Sequence, residues 1–437
     1  MQNTKPFQIV VLGIFGFFIV LGLLAFSGRI PFLGGSKNIN YGKVVVWGTL
    51  PGNTMQQVIG DKLQGVSNLS ISYVQKNKTT FAGDLVEALA AGTGPDLFLV
   101  SQDEILKNIN KIALIPSESM SARDFKNTFV SEGEMFLQTD GIVALPFTID
   151  PIVMYWNRDI FTNASIAVPP VKWGEFYSMN TRVVAKDSTG NITRSFVPFG
   201  TYGNVSNAKE IVSMLMMQAG SPIVTSRDGN LTADVTSNDS QGLQGPATRA
   251  VSFFSQFSES NKDSYSWNRS LPLSQSMFEA GDLGIYFGYA SEYAGIQAKN
   301  PNLNFDVAPV PQTDQSSTKI TFGRVQGLAV SKASKNSTGA IYAALLLSSK
   351  EATAEVAKMM NLPPVRRDLL ATAPSDPVLS IFYNEALISR AWEDPDSAKT
   401  NELFQNMIDD IGSGRQNIGD ALTVLENGIN KIFSQYR

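Results

Sequence analysis

The 437-residue sequence contains no cysteine and no histidine. These are the side chains that proteins most often use for transition-metal ligation, thiol chemistry and proton transfer near neutral pH. Serine or cysteine triads that depend on a histidine base are therefore excluded, and so are disulfides and a lipid anchor on cysteine. We expect a protein without catalytic residues, metal site or cofactor.

Charge of either sign is also scarce, since charged residues make up 17% of the chain and the formal net charge is −4. Such a weakly acidic surface gives no field that attracts nucleic acid, so we expect no nucleic-acid partner. The hydrophobic fraction of 43% is that of a folded globular protein. The chain is longer than a domain with one small hydrophobic core, and its length suggests two or three compact units.

The N-terminus carries an uncharged, apolar run from Phe7 to Phe26. A helix of that length spans about 30 Å, roughly the hydrocarbon core of a bilayer. Two readings are open, because Ala25-Phe26-Ser27 has the small-x-small form of a signal-peptide cleavage site. We assign residues 1–28 as membrane anchor or signal segment and residues 29–40 as a flexible linker. In both readings the rest of the chain is exported.

The next part of the chain alternates strand and helix patterns. A β-branched run at Val44–Trp47 precedes helical spacing over Met55–Leu63, alternation over Leu69–Tyr73 precedes a helix face at Phe81–Leu89, and Leu97–Val100 is a short apolar run. Three successive βα units predict a doubly wound α/β domain. Its ligands would bind beyond the carboxyl ends of the strands, in the loops after Trp47 and Val100.

Similar patterns resume after Asp150 and predict a second α/β lobe. Helical spacing occurs at 173–179 and 208–219, and a strand pattern at 284–289. Loops for phosphate binding, dinucleotide binding or a nucleophilic serine are missing from the whole sequence. Without histidine, the enzyme class that remains most compatible is a glycosidase with paired carboxylates, but no such pair stands out.

Five segments carry a family likeness, in this order along the chain: Leu89–Asp96, Leu145–Asp150, Tyr155–Phe161, Met277–Ile285 and Leu362–Asp368. Because of these five segments, most of residues 41–437 resembles the extracellular solute-binding proteins of ABC importers for sugars, the group similar to maltose-binding protein. The departure from the commonest pattern is the missing lipoprotein cysteine, which leaves the mode of anchoring open.

The resemblance implies a two-lobed periplasmic-binding-protein-like fold, each lobe a sheet flanked by helices and joined by hinge segments. It places one lobe at 41–149 plus 309–333 and the other at 150–308 plus 334–437. It also implies a monomer that is no enzyme, that holds a sugar or oligosaccharide between its lobes, and that delivers it to ABC permease subunits. The alternatives are a secreted glycosidase and a ligand-sensing lobe for a membrane receptor.

Strand-end positions and the family likeness together give ten candidate ligand-binding residues. An indole can stack on a sugar ring, a carboxylate can accept two hydroxyl hydrogen bonds, and a guanidinium can fork onto paired hydroxyls. Core packing, helix capping and solvent exposure are the competing explanations for the same residue types. The ten residues are Trp47, Thr49, Ser101, Asp103, Asp150, Tyr202, Tyr289, Arg324, Gln326 and Trp392.

The apolar run at the N-terminus gives a first testable prediction. If it is an uncleaved anchor, the full-length protein should stay with the membrane fraction after a high-salt wash. A variant without residues 1–40 should be soluble and folded, because the linker separates the anchor from the body. Mature protein that begins near Gly28 in the soluble fraction would instead establish cleavage.

Overall fold

The computed structural model describes residues 40–64, 66–227, 229–237, 245–314 and 318–436. The predicted anchor and linker therefore lie outside the described residues, apart from Asn40. The strands are β1 Gly42–Gly48, β2 Leu69–Gln75, β3 Leu97–Ser101, β4 Ile112–Ala113, β5 Leu137–Gln138, β6 Gly141–Ile142, β7 Leu145–Asn157, β8 Ala185–Lys186, β9 Ile192–Arg194, β10 Ile223–Arg227, β11 Asn230–Asp234, β12 Ile285–Tyr289, β13 Phe305–Ala308, β14 Thr321–Ser331 and β15 Ser389–Arg390.

The α-helices surround these strands and alternate with them in the first part of the chain. They are α1 Gly52–Leu63, α2 Phe81–Ala90, α3 Ile105–Asn108, α4 Ala122–Thr128, α5 Arg158–Asn163, α6 Phe176–Val183, α7 Ala208–Gln218, α8 Pro246–Ser255, α9 Ser274–Ala280, α10 Tyr293–Lys299, α11 Ser337–Leu347, α12 Lys350–Met360, α13 Arg367–Leu370, α14 Pro377–Ile388, α15 Ser397–Gly412 and α16 Ile418–Phe433. Within the ranges that the structure describes, none of the helices has both the length and the apolar character that a bilayer-spanning helix needs.

One mixed sheet runs through the molecule in the order β12-β7-β14-β3-β1-β2. Strand β1 pairs in parallel with β2 and β3, as the three βα units predict. Strand β14 joins antiparallel to both β3 and β7, and β12 and β13 join antiparallel to β7. The carboxyl ends of β1 and β3 therefore lie at the same edge of the sheet.

The buried apolar side chains form two separate clusters. The first cluster includes β1, β2 and β3 and reaches Ile149 on β7, whereas the second starts at Ile152 on the same strand. Strand β14 crosses in the reverse direction, from Phe322 in the second cluster to Val325 in the first. We call the two clusters, with the elements packed on them, the first lobe and the second lobe.

Helices α11 and α12 pack on the first lobe. Ala340, Ala344 and Val356 belong to its cluster, and α11 contacts both β1 and β14. The boundary expected from the sequence assigned the whole of residues 334–437 to the second lobe. The structure differs from that expectation because the small side chains of α11 fit against the sheet of the first lobe.

Strand β7 is long because it serves both lobes. Of its 13 residues, all but Asp150 and Trp156 are buried. The strand therefore lacks the alternation of apolar and polar residues that is typical of a sheet with one solvent-exposed face. At the crossing point Pro151 faces Gly323 of β14. Since proline has no N–H to donate, Pro151 gives no hydrogen bond to the ladder at this point.

Gly323 gives a test of how tightly this crossing is packed. A Cβ at this position would lie within 2.6 Å of Ser389 Oγ and closer still to Glu132 Oε2. We expect Gly323→Ala to lower the free energy of unfolding by about 1 to 3 kcal/mol through overpacking, measured by urea denaturation.

The matched control is Gly83→Ala, which meets open space on helix α2. That substitution should be neutral or stabilising by up to about 1 kcal/mol, because alanine favours the helix. Equal effects of the two substitutions would contradict tight packing at the crossing.

Candidate functional site

A cavity of about 640 Å³ lies between the two lobes, against the crossing strands β7 and β14. This is within the size range of small-molecule sites, about 300 to 1,000 Å³. Its wall consists of Thr49, Leu50, Lys78, Phe81, Leu99, Ser101, Asp103, Glu104, Lys107, Thr148, Asp150, Lys209, Glu210, Ser291, Arg324, Gln326, Met360, Leu362, Asp396, Ser397, Ala398 and Asn401.

The first lobe contributes the side chains that follow its parallel strands. Thr49 comes directly after β1, and Ser101 ends β3 just before a 3₁₀ turn that contains Asp103. Ser101 Oγ donates to Asp103 Oδ1 at 2.5 Å. Burial alone would raise the pKa of Asp103, but this hydrogen bond and the positive charges of Arg324 and Lys209 outweigh it and lower the pKa. Asp103 is therefore an ionised acceptor at neutral pH.

The crossing strands place two opposite charges side by side. Asp150 on β7 is the register partner of Arg324 on β14. Asp150 Oδ1 accepts a hydrogen bond from Ser291 N of the second lobe at 3.0 Å. Burial raises the pKa of Asp150 to about 6, although the hydrogen bond from Ser291 and the charge of Arg324 lower it. This carboxyl group contacts both lobes and titrates just below neutral pH.

Gln326 and Thr148 form the register pair two positions further along the same two strands. Thr148 Oγ1 donates to Gln326 Oε1 at 3.5 Å, and both side chains line the cavity. The crossing strands therefore offer a carboxylate, a guanidinium, an amide and a hydroxyl to one ligand.

Arg324 is held by an aromatic ring. Its guanidinium carbon lies 4.1 Å from the centroid of the Tyr289 ring, an arrangement that suits a planar cation over a π face. Among the described residues, its N–H groups make no hydrogen bond to protein and no ion pair within 4 Å. The guanidinium is thus oriented, with donors available for a ligand.

The second lobe contributes a fixed lysine, Lys209, near the start of α7. Its ammonium group forms a buried ion pair with Asp394 at 2.8 Å and also donates to Ser397 Oγ at 2.9 Å and to Thr400 Oγ1. These bonds fasten α7 to the start of α15. Because its partners are internal, Lys209 positions the cavity wall more than it offers donors to a ligand.

Six of the ten predicted residues line this cavity: Thr49, Ser101, Asp103, Asp150, Arg324 and Gln326. Tyr289 and Trp392 line a narrow recess at its deep end, together with Asp103 and Arg324. The loops after β1 and β3 and the crossing segment therefore converge, as the topology predicts.

Trp47 and Tyr202 lie outside the walls of the cavity and of the recess. The Trp47 ring packs on the first lobe under Lys76, whose Nζ is 3.6 Å from the ring centroid. Tyr202 is buried in the second lobe, and its hydroxyl donates to Asn401 Oδ1 at 2.6 Å. Tyr202 therefore acts on the cavity only through Asn401, and Trp47 is positioned for packing.

Several wall residues were missed by the sequence analysis, above all Lys209, Glu210, Asp396 and Ser397. The available signal was the Lys209-Glu210 pair at the start of an otherwise apolar helix. Aromatic rings are scarce, since Phe81 is the one aromatic residue among the cavity-wall residues given above. The wall of this cavity therefore offers a ligand more polar side chains than aromatic rings.

Comparisons with known proteins agree with this architecture. A sequence model of a family described as bacterial extracellular solute-binding protein matches residues 61–379. A binding protein of Brucella abortus is 22% identical over 294 residues, which cover 65% of this chain and 66% of that protein. The aligned part thus falls just short of two thirds of that relative's length.

Two solved structures are similar over nearly the whole body. The cyclic α-maltosyl-1,6-maltose-binding protein of Arthrobacter globiformis has a TM-score of 0.75 at 16% identity, over 90% of this chain and 99% of that chain. A cyclo/maltodextrin-binding protein in complex with maltotetraose has a TM-score of 0.73 at 20% identity, over 92% of this chain and 98% of that chain. The predicted two-lobed α/β fold is confirmed.

The raised pKa of Asp150 predicts a pH-dependent stability. The folded state holds this proton more tightly than the unfolded chain, so the contribution of Asp150 to the free energy of unfolding should fall as the pH rises from about 4 through about 6. Asp150→Asn removes the buried charge. We expect the ligand-free variant to be more stable than wild type by roughly 1 to 3 kcal/mol above pH 7, and equal to it near pH 4.

Urea unfolding at a series of pH values measures this difference. Asp187→Asn is the control, because Asp187 is exposed and hydrogen bonds from Thr189 and Asn191 lower its pKa to about 2. That variant should gain no stability at neutral pH. A loss of stability in Asp150→Asn across the pH range would show that the carboxylate is structural.

Proposed function

We propose, since this chain belongs to the family of bacterial extracellular solute-binding proteins, that it is the substrate-binding component of an ABC importer and captures a sugar or oligosaccharide between its lobes. The observation that carries the proposal is the polar cavity on the crossing strands, where Asp150 and Arg324 lie side by side. A ligand there touches both lobes at once, so that its binding favours their closed arrangement.

The chemistry of the wall supports a ligand rich in hydroxyl groups. Asp103 and Asp150 can each accept hydroxyl hydrogen bonds, while Arg324 and Gln326 can donate to hydroxyl oxygens. Both solved relatives described above are named as binders of glucose-based oligosaccharides. The cavity of about 640 Å³ has room for more than one sugar ring.

We assign the eight predicted residues of the cavity and recess to ligand binding and extend the set with Glu210 and Ser397. Two lobe boundaries follow the crossings at Asp150–Pro151 and Gly323–Arg324, and the chain returns to the second lobe between α12 and Trp392. The match to a family of extracellular proteins supports a body that lies outside the cytoplasm. The partners that follow from this assignment are ABC permease subunits, and the membrane itself if the N-terminal segment remains as an anchor.

A ligand panel tests the proposal directly. Maltotriose, maltotetraose, mannobiose and tagatose should be screened by thermal shift and then by calorimetric titration. A bound sugar should stabilise the fold by about 2.7 kcal/mol at a hundredfold excess over its Kd. It should also be recovered unchanged after long incubation, which a glycosidase would not allow.

Two glutamine variants form a matched pair for this experiment. Gln326→Ala removes an amide from the cavity wall and should weaken sugar binding about fivefold to tenfold. Gln256→Ala removes an amide that donates to the Tyr177 hydroxyl, away from the cavity, and should leave the affinity unchanged. If no sugar stabilises the wild type, or if sugar is consumed, the proposed function is wrong.

A further inference from the structure

The recess at the deep end of the cavity is small and sharply defined. Its volume is about 10 Å³, close to the minimum that can hold one water-sized group. It opens into the main cavity, because Asp103, Lys209, Glu210 and Arg324 line both spaces. Its remaining wall consists of Gln102, Tyr289, Phe322, Ala391, Trp392 and Asp394.

Five of the eight polar side chains around the recess are engaged within the protein, and Asp103 is one of them through the hydrogen bond from Ser101 described above. Gln102 donates to Gly323 O at 3.1 Å and accepts from Val325 N at 2.8 Å. Trp392 Nε1 donates to Ser213 Oγ at 3.1 Å. Lys209 and Asp394 are paired with each other, and Asp394 also accepts from Thr400 Oγ1. These groups form a fixed frame whose hydrogen bonds are complete without a ligand.

Three polar groups of the recess are left without protein partners among the described residues. The Tyr289 side chain is 3% exposed, and its buried hydroxyl makes no hydrogen bond. The Glu210 carboxylate and the Arg324 guanidinium likewise have no hydrogen-bond or ion-pair partner within the described ranges. A buried hydroxyl without a partner destabilises the fold, so its presence beside the proposed ligand cavity points to a partner that arrives with the ligand.

The chemistry of the three groups defines what that partner is. A carboxylate only accepts, a guanidinium only donates, and a tyrosine hydroxyl can do either. An ammonium group would be repelled by Arg324, and an anionic group by Glu210. A neutral hydroxyl satisfies all three, because it donates one hydrogen bond and accepts two.

We propose that the recess is a subsite for a single hydroxyl group of the bound sugar, which donates to Glu210 and accepts from Arg324 and Tyr289. This inference rests on the proposed function and deepens it. One hydroxyl-bearing edge of the sugar enters the recess, while the rest of the ligand occupies the main cavity. The recess thereby fixes the orientation of the sugar on the crossing strands, and an ordered water in the same place is the competing occupant.

The variant Tyr289→Phe tests the subsite, because it removes the unpartnered hydroxyl and keeps the ring that supports Arg324. Wild type and variant should be titrated calorimetrically with maltotriose, maltotetraose and mannobiose. We expect the variant to bind about tenfold more weakly. Its ligand-free stability in urea should be equal to that of the wild type or higher, because a buried hydroxyl without a partner has been removed.

Tyr286→Phe is the matched control on the same strand. The Tyr286 hydroxyl donates to Glu292 Oε2 at 2.5 Å, and Tyr286 is absent from the walls of both the cavity and the recess. We expect this variant to show the opposite pattern, with lower ligand-free stability and unchanged affinity.

The possible outcomes separate the subsite from the function. Unchanged sugar affinity in Tyr289→Phe would overturn the subsite and leave the proposed function standing, with water as the occupant. A lower ligand-free stability of Tyr289→Phe would also overturn it, since the hydroxyl would then be structural. If no sugar of the panel binds to the wild type, the proposed function fails and the subsite fails with it.

Discussion

The antiparallel pairing of β7 with β14 is the constraint on which the rest of the structure depends. Both strands leave one apolar cluster and enter the other, and their register sets Asp150 beside Arg324 at the crossing. The same pairing brings Thr148 next to Gln326. The strands that connect the two lobes therefore also line the cavity, and under the proposed function a ligand bound there would act on the segments that bend when the lobes close.

The parts of this arrangement that depend on local pattern could be predicted from the sequence. Alternation and helical spacing located β1 to β3, and the rule for the carboxyl ends of parallel strands then placed Thr49, Ser101 and Asp103 at the cavity. The positions of Asp150, Tyr289, Arg324 and Gln326 followed from the family likeness. Trp47 shows the limit of this reasoning, because its strand-end position was correct but its ring packs beneath Lys76.

What could not be predicted depends on contacts between distant parts of the chain. Lys209 is held at the cavity wall by its ion pair with Asp394, which lies 185 positions later in the chain. No spacing in the sequence indicates such a pair. The same is true of α11 and α12, whose packing on the first lobe depends on the shape of the sheet. Two groups of the candidate site also lower the stability of the ligand-free protein. Burial raises the pKa of Asp150, and the Tyr289 hydroxyl is left without a partner.

The central claim is that the lobes close on a sugar held at the crossing strands. Since the chain has no cysteine, a pair of introduced cysteines can be labelled without interference, at Thr79→Cys on the first lobe and Glu402→Cys on α15. The distance between spin labels at these sites, measured by double electron–electron resonance, should shorten when maltotriose or another sugar that binds is added. An unchanged distance at saturating sugar would contradict closure.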